Sequence, residues 1–116
     1  MIELLDKVDK PNVIENSCLL QGKEVLASSF TPDKKNHETI AKQAFNYVFL
    51  NVARMNAKHN EAHLEIGDKR LSGFILKPEL VLVCMSDKAC NIALVRDHVA
   101  EVKKLFLQEQ VNRMLA

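Results

Sequence analysis

The residues that could do chemistry are few, and the first stands in SCLLQGKEVLASSF, Ser17 to Phe30. A glycine followed by lysine is where a phosphate cradle would be sought. A phosphate loop needs G-x-x-x-x-G-K-[ST], and a dinucleotide loop needs three closely spaced glycines opening a helix. The three glycines lie at 22, 67 and 73, in neither pattern, and Gly22-Lys23-Glu24 runs into an apolar segment that reads as a strand. Gly22 is therefore read as a turn residue, and no nucleotide is assigned to this chain.

Cys84 and Cys90, with five residues between them, invite a metal reading, with Cys18 and His98 as the only further ligands in view. Zinc sites pair cysteines at C-x2-4-C and repeat that spacing for the second pair. Free cysteine is among the most buried residue types, so core thiols are the simpler reading. His37, His59, His63 and His98 are scattered over loop, strand and helix, and surface or capping roles are expected of them. Asp97-His98, after Arg96, reads as a solvated helix face. A Ser-His-Asp grouping is spatial, so linear order neither gives nor excludes one. No catalytic, cofactor or metal residue is assigned.

Composition narrows the classes. The chain of 116 residues carries 16 basic and 15 acidic side chains, net +1. Basic and acidic residues alternate throughout, without the one-sided basic face of a nucleic-acid or anionic-membrane binder. No run reaches the ~18 apolar residues that a membrane span requires. MIELLDKVDK has no long apolar core and no cleavage site, so it does not read as a signal peptide. An odd number of cysteines without an export signal points to reduced thiols and a cytoplasmic protein. The length fits one domain over residues 1–116, burying roughly two-thirds of its unfolded surface.

The elements follow from periodicity. Ile2, Leu4, Leu5 and Val8 fit a short amphipathic helix ended by Pro11. Asn12 to Leu20 and Val25 to Phe30 read as two strands joined at Gln21-Gly22-Lys23. From His37 to Lys58 there is neither proline nor glycine. Ala41, Ala44, Phe45, Val48, Val52 and Met55 form one helical stripe there, on a rod of about 33 Å. Ala62 to Ile66, Arg70 to Lys77 and Leu80 to Met85 then read as three strands, turned at Gly67-Asp68 and Pro78-Glu79. The unbroken run in the last suits a central strand buried on both faces. A final helix opens near Cys90 or Asn91, with Ile92, Val95, Val99, Val102 and Phe106 as its stripe. Beyond Phe106 the apolar phase slips, so residues 107–116 are expected as a less regular helix or a frayed tail.

The order α-ββ-α-βββ-α resembles the roadblock/LC7 family across nearly the whole chain. CLLQGKEVLASS takes the place of the family's first hairpin, and AKQAFNYVFLNVARM that of its alanine-rich central helix. HLEIGDKRLSGFILKPELVLVCMSDKACNIALVR matches the closing strands and the entry to the last helix. The family hairpin often carries a longer acidic loop, where this chain has only QGK. The resemblance implies an α+β sandwich: a five-stranded antiparallel sheet with the long helix on one face, assembled as a homodimer or with a paralogue. In that arrangement the first strand adjoins the last, which would make Cys18 and Cys84 core neighbours. It also implies a non-enzymatic regulator or scaffold for a small Ras-like GTPase, stimulating its GTP hydrolysis in some members. The alternative is a structural adaptor pairing with another roadblock-type chain in a motor or signalling complex.

The central helix itself bears on assembly. Ile40, Gln43, Tyr47, Leu50 and Arg54 step by 3, 4, 3 and 4 along a second line, away from the core stripe. A helix lying on the sheet of a monomer should show solvent a polar row there. Tyr and Arg are enriched at interfaces because each joins apolar area to a polar tip. This row is the candidate dimer or partner interface, and a mixed solvated face on a monomer is the rival reading.

Overall fold

The computed structural model describes residues 2–54 and 60–115, with side chains described over 4–51 and 60–108. Its elements run α1 (Ile2–Val8), β1 (Asn16–Gln21), β2 (Glu24–Ser28), a 3-10 turn (Pro32–Lys34), α2 (Lys35–Arg54), β3 (Glu61–Ile66), β4 (Lys69–Lys77), β5 (Leu80–Asp87) and α3 (Ile92–Leu115). The five strands form one antiparallel sheet in the order β2-β1-β5-β4-β3.

Every residue of β5 from Leu80 to Ser86 is buried, because the sheet is covered on both faces. Successive strand side chains point to opposite faces. Leu80, Leu82 and Cys84 join a core with Leu4, Leu5 and Val8 of α1 and Val95, Val99, Val102 and Phe106 of α3. Val81, Val83 and Met85 join a second core with Ala41, Phe45 and Phe49 of α2. The long helix thus covers one face alone, and α1 with α3 covers the other.

Turn chemistry sets the register. Gly22 and Gly67, each at φ 58°, occupy left-handed backbone between the paired residues Gln21 and Glu24, and Ile66 and Lys69. Only glycine enters that region without steric cost. Glu79 takes φ 69° in the β4–β5 turn without that exemption. Asn91 caps α3, its side-chain oxygen accepting from the Ala93 amide at 2.9 Å, as asparagine at this position favours.

Several expectations are revised. β1 starts at Asn16 rather than Asn12, because Lys10 and Ile14 close a separate small turn. After Phe106, where a less regular helix or a frayed tail is expected, α3 runs on as helix to Leu115. Cys18 and Cys84 do sit on adjacent strands, but Cys18 pairs with Val83 and Ser17 with Cys84. The two thiols therefore face opposite cores. Nor does His98 lie on a solvated face: half-buried, it donates from Nε2 to the carbonyls of Lys7 and Val8, both at 3.0 Å, closing the C-terminal end of α1.

Candidate partner interface

α2 is fastened to the sheet at both its entry and its middle. Glu38, buried in the first turn, accepts from the Ser28 hydroxyl at 2.5 Å and from Lys35 Nζ at 2.9 Å. Burial pushes the Glu38 carboxyl up, but the Ser28 and Lys35 hydrogen bonds with the Lys35 and Lys42 charges outweigh it and hold the group below its ordinary value. Further along, the Phe45 ring lies on the backbone of Gly73 in β4, where no side chain intervenes.

The buried line of α2 is Glu38, Ala41, Phe45 and Phe49, with Ala44 and Val48 only half-buried. At about 100° per residue this line is turned roughly 55° from the stripe read from the sequence. Phe49 takes the place given to Val48. The Val52 side chain and Met55 lie outside the described residues.

Ile40, Gln43, Tyr47 and Leu50 fall within an arc of about 80°, centred diametrically opposite the buried line. They are exposed, Ile40 at 38%, Tyr47 at 69% and Leu50 at 49%. Arg54 ends the helix, and its side chain lies outside the described residues. The outermost line of α2 is therefore rich in large apolar side chains, Ile40, Tyr47 and Leu50, with Gln43 among them. Its two flanks differ: Lys35, Lys42 and Asn46 lie on one, while Ala44 and Val48 on the other continue the apolar surface inward.

Other groupings carry less. Ser72 Oγ lies 2.8 Å from His63 Nδ1, and His63 Nε2 lies 2.7 Å from Glu61, which Arg96 of α3 grips through two nitrogens. Linear order could not show this set, because the β3–β4 register sets His63 opposite Ser72. The arrangement has the outline of a hydrolytic triad, yet Ser72 is wholly buried, with no approach for a substrate. It ties the edge strand β3 to α3. The Arg96 hydrogen bonds hold the Glu61 carboxyl below its ordinary range.

The two core thiols, Cys18 and Cys84, are equally unsuited to chemistry. Burial, with the Glu38 charge adding to it, pushes Cys18 up to about 12, and burial also holds Cys84 well above the ordinary thiol value. Neither supplies a thiolate near neutral pH. Among the described residues no group of three or more His, Cys, Asp or Glu is placed to hold a metal. His37 is half-buried, and its Nδ1 has no hydrogen-bond partner among the described residues. His59 lies outside the described residues. No described helix is long and apolar enough to cross a membrane.

No family model and no curated protein matches the sequence. Solved structures do match the fold. A roadblock/LC7 domain from Streptomyces avermitilis superposes with a TM-score of 0.75 at 13% identity, over 96% of this chain and 98% of that one. MglB of Myxococcus xanthus gives 0.74 at 13% identity, over 96% and 94%. Profilin IA of Acanthamoeba castellanii follows at 0.63 and 11%, over 94% and 98%. The element order, the sheet order and these superpositions agree that the chain has the roadblock/LC7 fold.

Proposed function

We propose that this chain is a non-enzymatic, dimeric regulator or scaffold that binds a small Ras-like GTPase. The observation that carries the reading is the outward row of α2. Ile40, Tyr47 and Leu50 present large apolar area to solvent on the side of the helix farthest from the sheet, a position that a solvated monomer would fill with polar residues. Fold likeness to MglB and to a roadblock/LC7 domain supports the same class. The likeness to profilin shows that the fold alone does not name the partner, so the weight rests on the row. Ile40, Gln43, Tyr47 and Leu50, with Arg54 at the end of the helix, form the GTPase-facing surface. The chain itself holds no nucleotide and contributes no nucleophile, and it works in the cytoplasm.

The test is capture of purified Ras-like GTPases, loaded with GTP or GDP, by the immobilised protein, followed by phosphate-release kinetics. Nucleotide-dependent capture supports the reading, and faster phosphate release makes the protein an activator. Failure to capture any of them, with the protein folded and dimeric, overturns the reading in favour of a structural adaptor.

A further inference from the structure

We infer that Thr31, at the entry to α2, is a phosphorylation site, the acceptor for a proline-directed serine/threonine kinase that uses ATP. The inference goes beyond the proposed function and does not depend on it. Thr31-Pro32 is the one place where a hydroxyl residue precedes proline, since Pro11 and Pro78 both follow lysine.

Access separates Thr31 from the other serine and threonine hydroxyls. Ser17, Ser72 and Ser86 are wholly buried. Ser28 and Ser29 are half-buried and engaged inside the fold, Ser28 donating to Glu38 and Ser29 to the Ser17 carbonyl. Thr39 is exposed but stands within α2, where it donates to the Lys35 carbonyl at 3.1 Å. Thr31 is exposed, lies outside every helix and strand, and donates to Asp33, itself at the surface.

Backbone geometry suits the transfer. A kinase cleft takes its acceptor residue extended, and Thr31 already is, at φ −77° and ψ 160°. Pro32 enforces this, because its ring disfavours the helical region for the residue before it. Lacking an N–H, Pro32 fits a cleft that offers an apolar pocket and no hydrogen bond at that position, and Lys34 offers a cation to a kinase carboxylate. The 3-10 turn Pro32–Lys34 has to open for Lys34 to be read. It buries no side chain and is closed by the Lys34 amide on the Thr31 carbonyl at 2.9 Å, so opening exposes no core. In the transfer Thr31 Oγ1 attacks the γ-phosphorus of magnesium-bound ATP. The Oγ1–P bond forms as the bond from that phosphorus to the β-phosphate oxygen breaks, ADP leaves, and the hydroxyl proton passes to the kinase's catalytic aspartate. The product holds a charge of about −2 beside Lys34 and Lys35. It replaces the Thr31–Asp33 hydrogen bond and competes for Lys35 Nζ, which lies 2.9 Å from Glu38.

The test incubates the folded full-length chain with magnesium-ATP and a purified proline-directed serine/threonine kinase. Intact mass counts the phosphoryl groups, and fragment sequencing places them. One group per chain is expected, on Thr31, with Thr39 and the serines unmodified. Thr31→Ala, with unchanged circular dichroism, should take none. Pro32→Ala should slow the transfer about 10-fold or more through the lost pocket contact, with Thr31 still present to accept. A peptide spanning residues 26–37 reports whether the kinase reads this sequence without the fold. Phosphorylation of the peptide but not of the chain shows that the turn stays closed, and overturns the inference. So does a chain and a peptide both left unmodified, or phosphate found on Thr39 or a serine in place of Thr31. Transfer to Pro32→Ala at an undiminished rate overturns the assignment to a proline-directed enzyme.

Discussion

Gly73 of β4 lies directly beneath Phe45 of α2: a Cβ added at Gly73 would stand 2.9 Å from the ring. The close approach sets the height of the helix over this strand. In a strand interior alanine is otherwise preferred to glycine by roughly 0.5–1 kcal/mol, so a stability loss isolates the contact. Phe45 is buried and cannot swing away. Gly73→Ala is expected to destabilise by about 1–3 kcal/mol, read from urea unfolding. Adding Phe45→Leu should recover part of that loss. Equal losses with and without Phe45 would show that the ring is not the obstacle.

That contact shows where sequence reading reached and where it stopped. The two-faced burial of β5 was legible, because only a central strand tolerates an unbroken apolar run. The phase of α2 was not: Val48 and Phe49 are adjacent and both apolar, and the placement of Phe45 over Gly73 decides which turns inward. Cys18 and Cys84 were legible as core thiols, while the faces they occupy depend on a one-residue register. The Ser72-His63-Glu61 set depends on strand pairing, and the His98 bond to α1 on packing between helices far apart in sequence. The outward row of α2 was readable because it rests on helical period alone.

Acidification should weaken the fold through Glu38. Its folded-state pKa lies below the ordinary glutamate value of 4.5. The stabilisation is therefore present above that value and is lost as pH falls through the folded pKa. Glu61, held down first by Arg96, acts with the same sign. Glu38→Gln is expected to be less stable at neutral pH and to lose less on acidification, measured by urea midpoints from pH 7 to pH 3. An unchanged acid slope in that variant would remove Glu38 from the account.

Thiol titration separates the three cysteines. Cys18 and Cys84 are buried with raised pKa values, while Cys90 is half-exposed. A thiol reagent at pH 8 should modify Cys90 quickly, and the other two only at the rate of opening. Cys90→Ser should remove the fast phase. Rapid loss of all three thiols under native conditions would contradict the packing of both cores.

Tyr47→Ala separates stability from binding. Tyr47 is 69% exposed, and its backbone carbonyl, rather than its ring, holds the Asn51 amide at 3.0 Å. Truncation should therefore shift unfolding by no more than about 0.5 kcal/mol. If the outward row receives a GTPase, a central tyrosine is the kind of residue that carries the contact. Its loss should then cost about 2 kcal/mol, roughly 30-fold in affinity, measured by calorimetry against the captured GTPase. Leu50→Ala should act in the same direction and less strongly. A large drop in stability would place Tyr47 in the core, and a halved mass by light scattering would place it in a contact between copies. Unchanged affinity in both variants would move the GTPase to another face of the molecule.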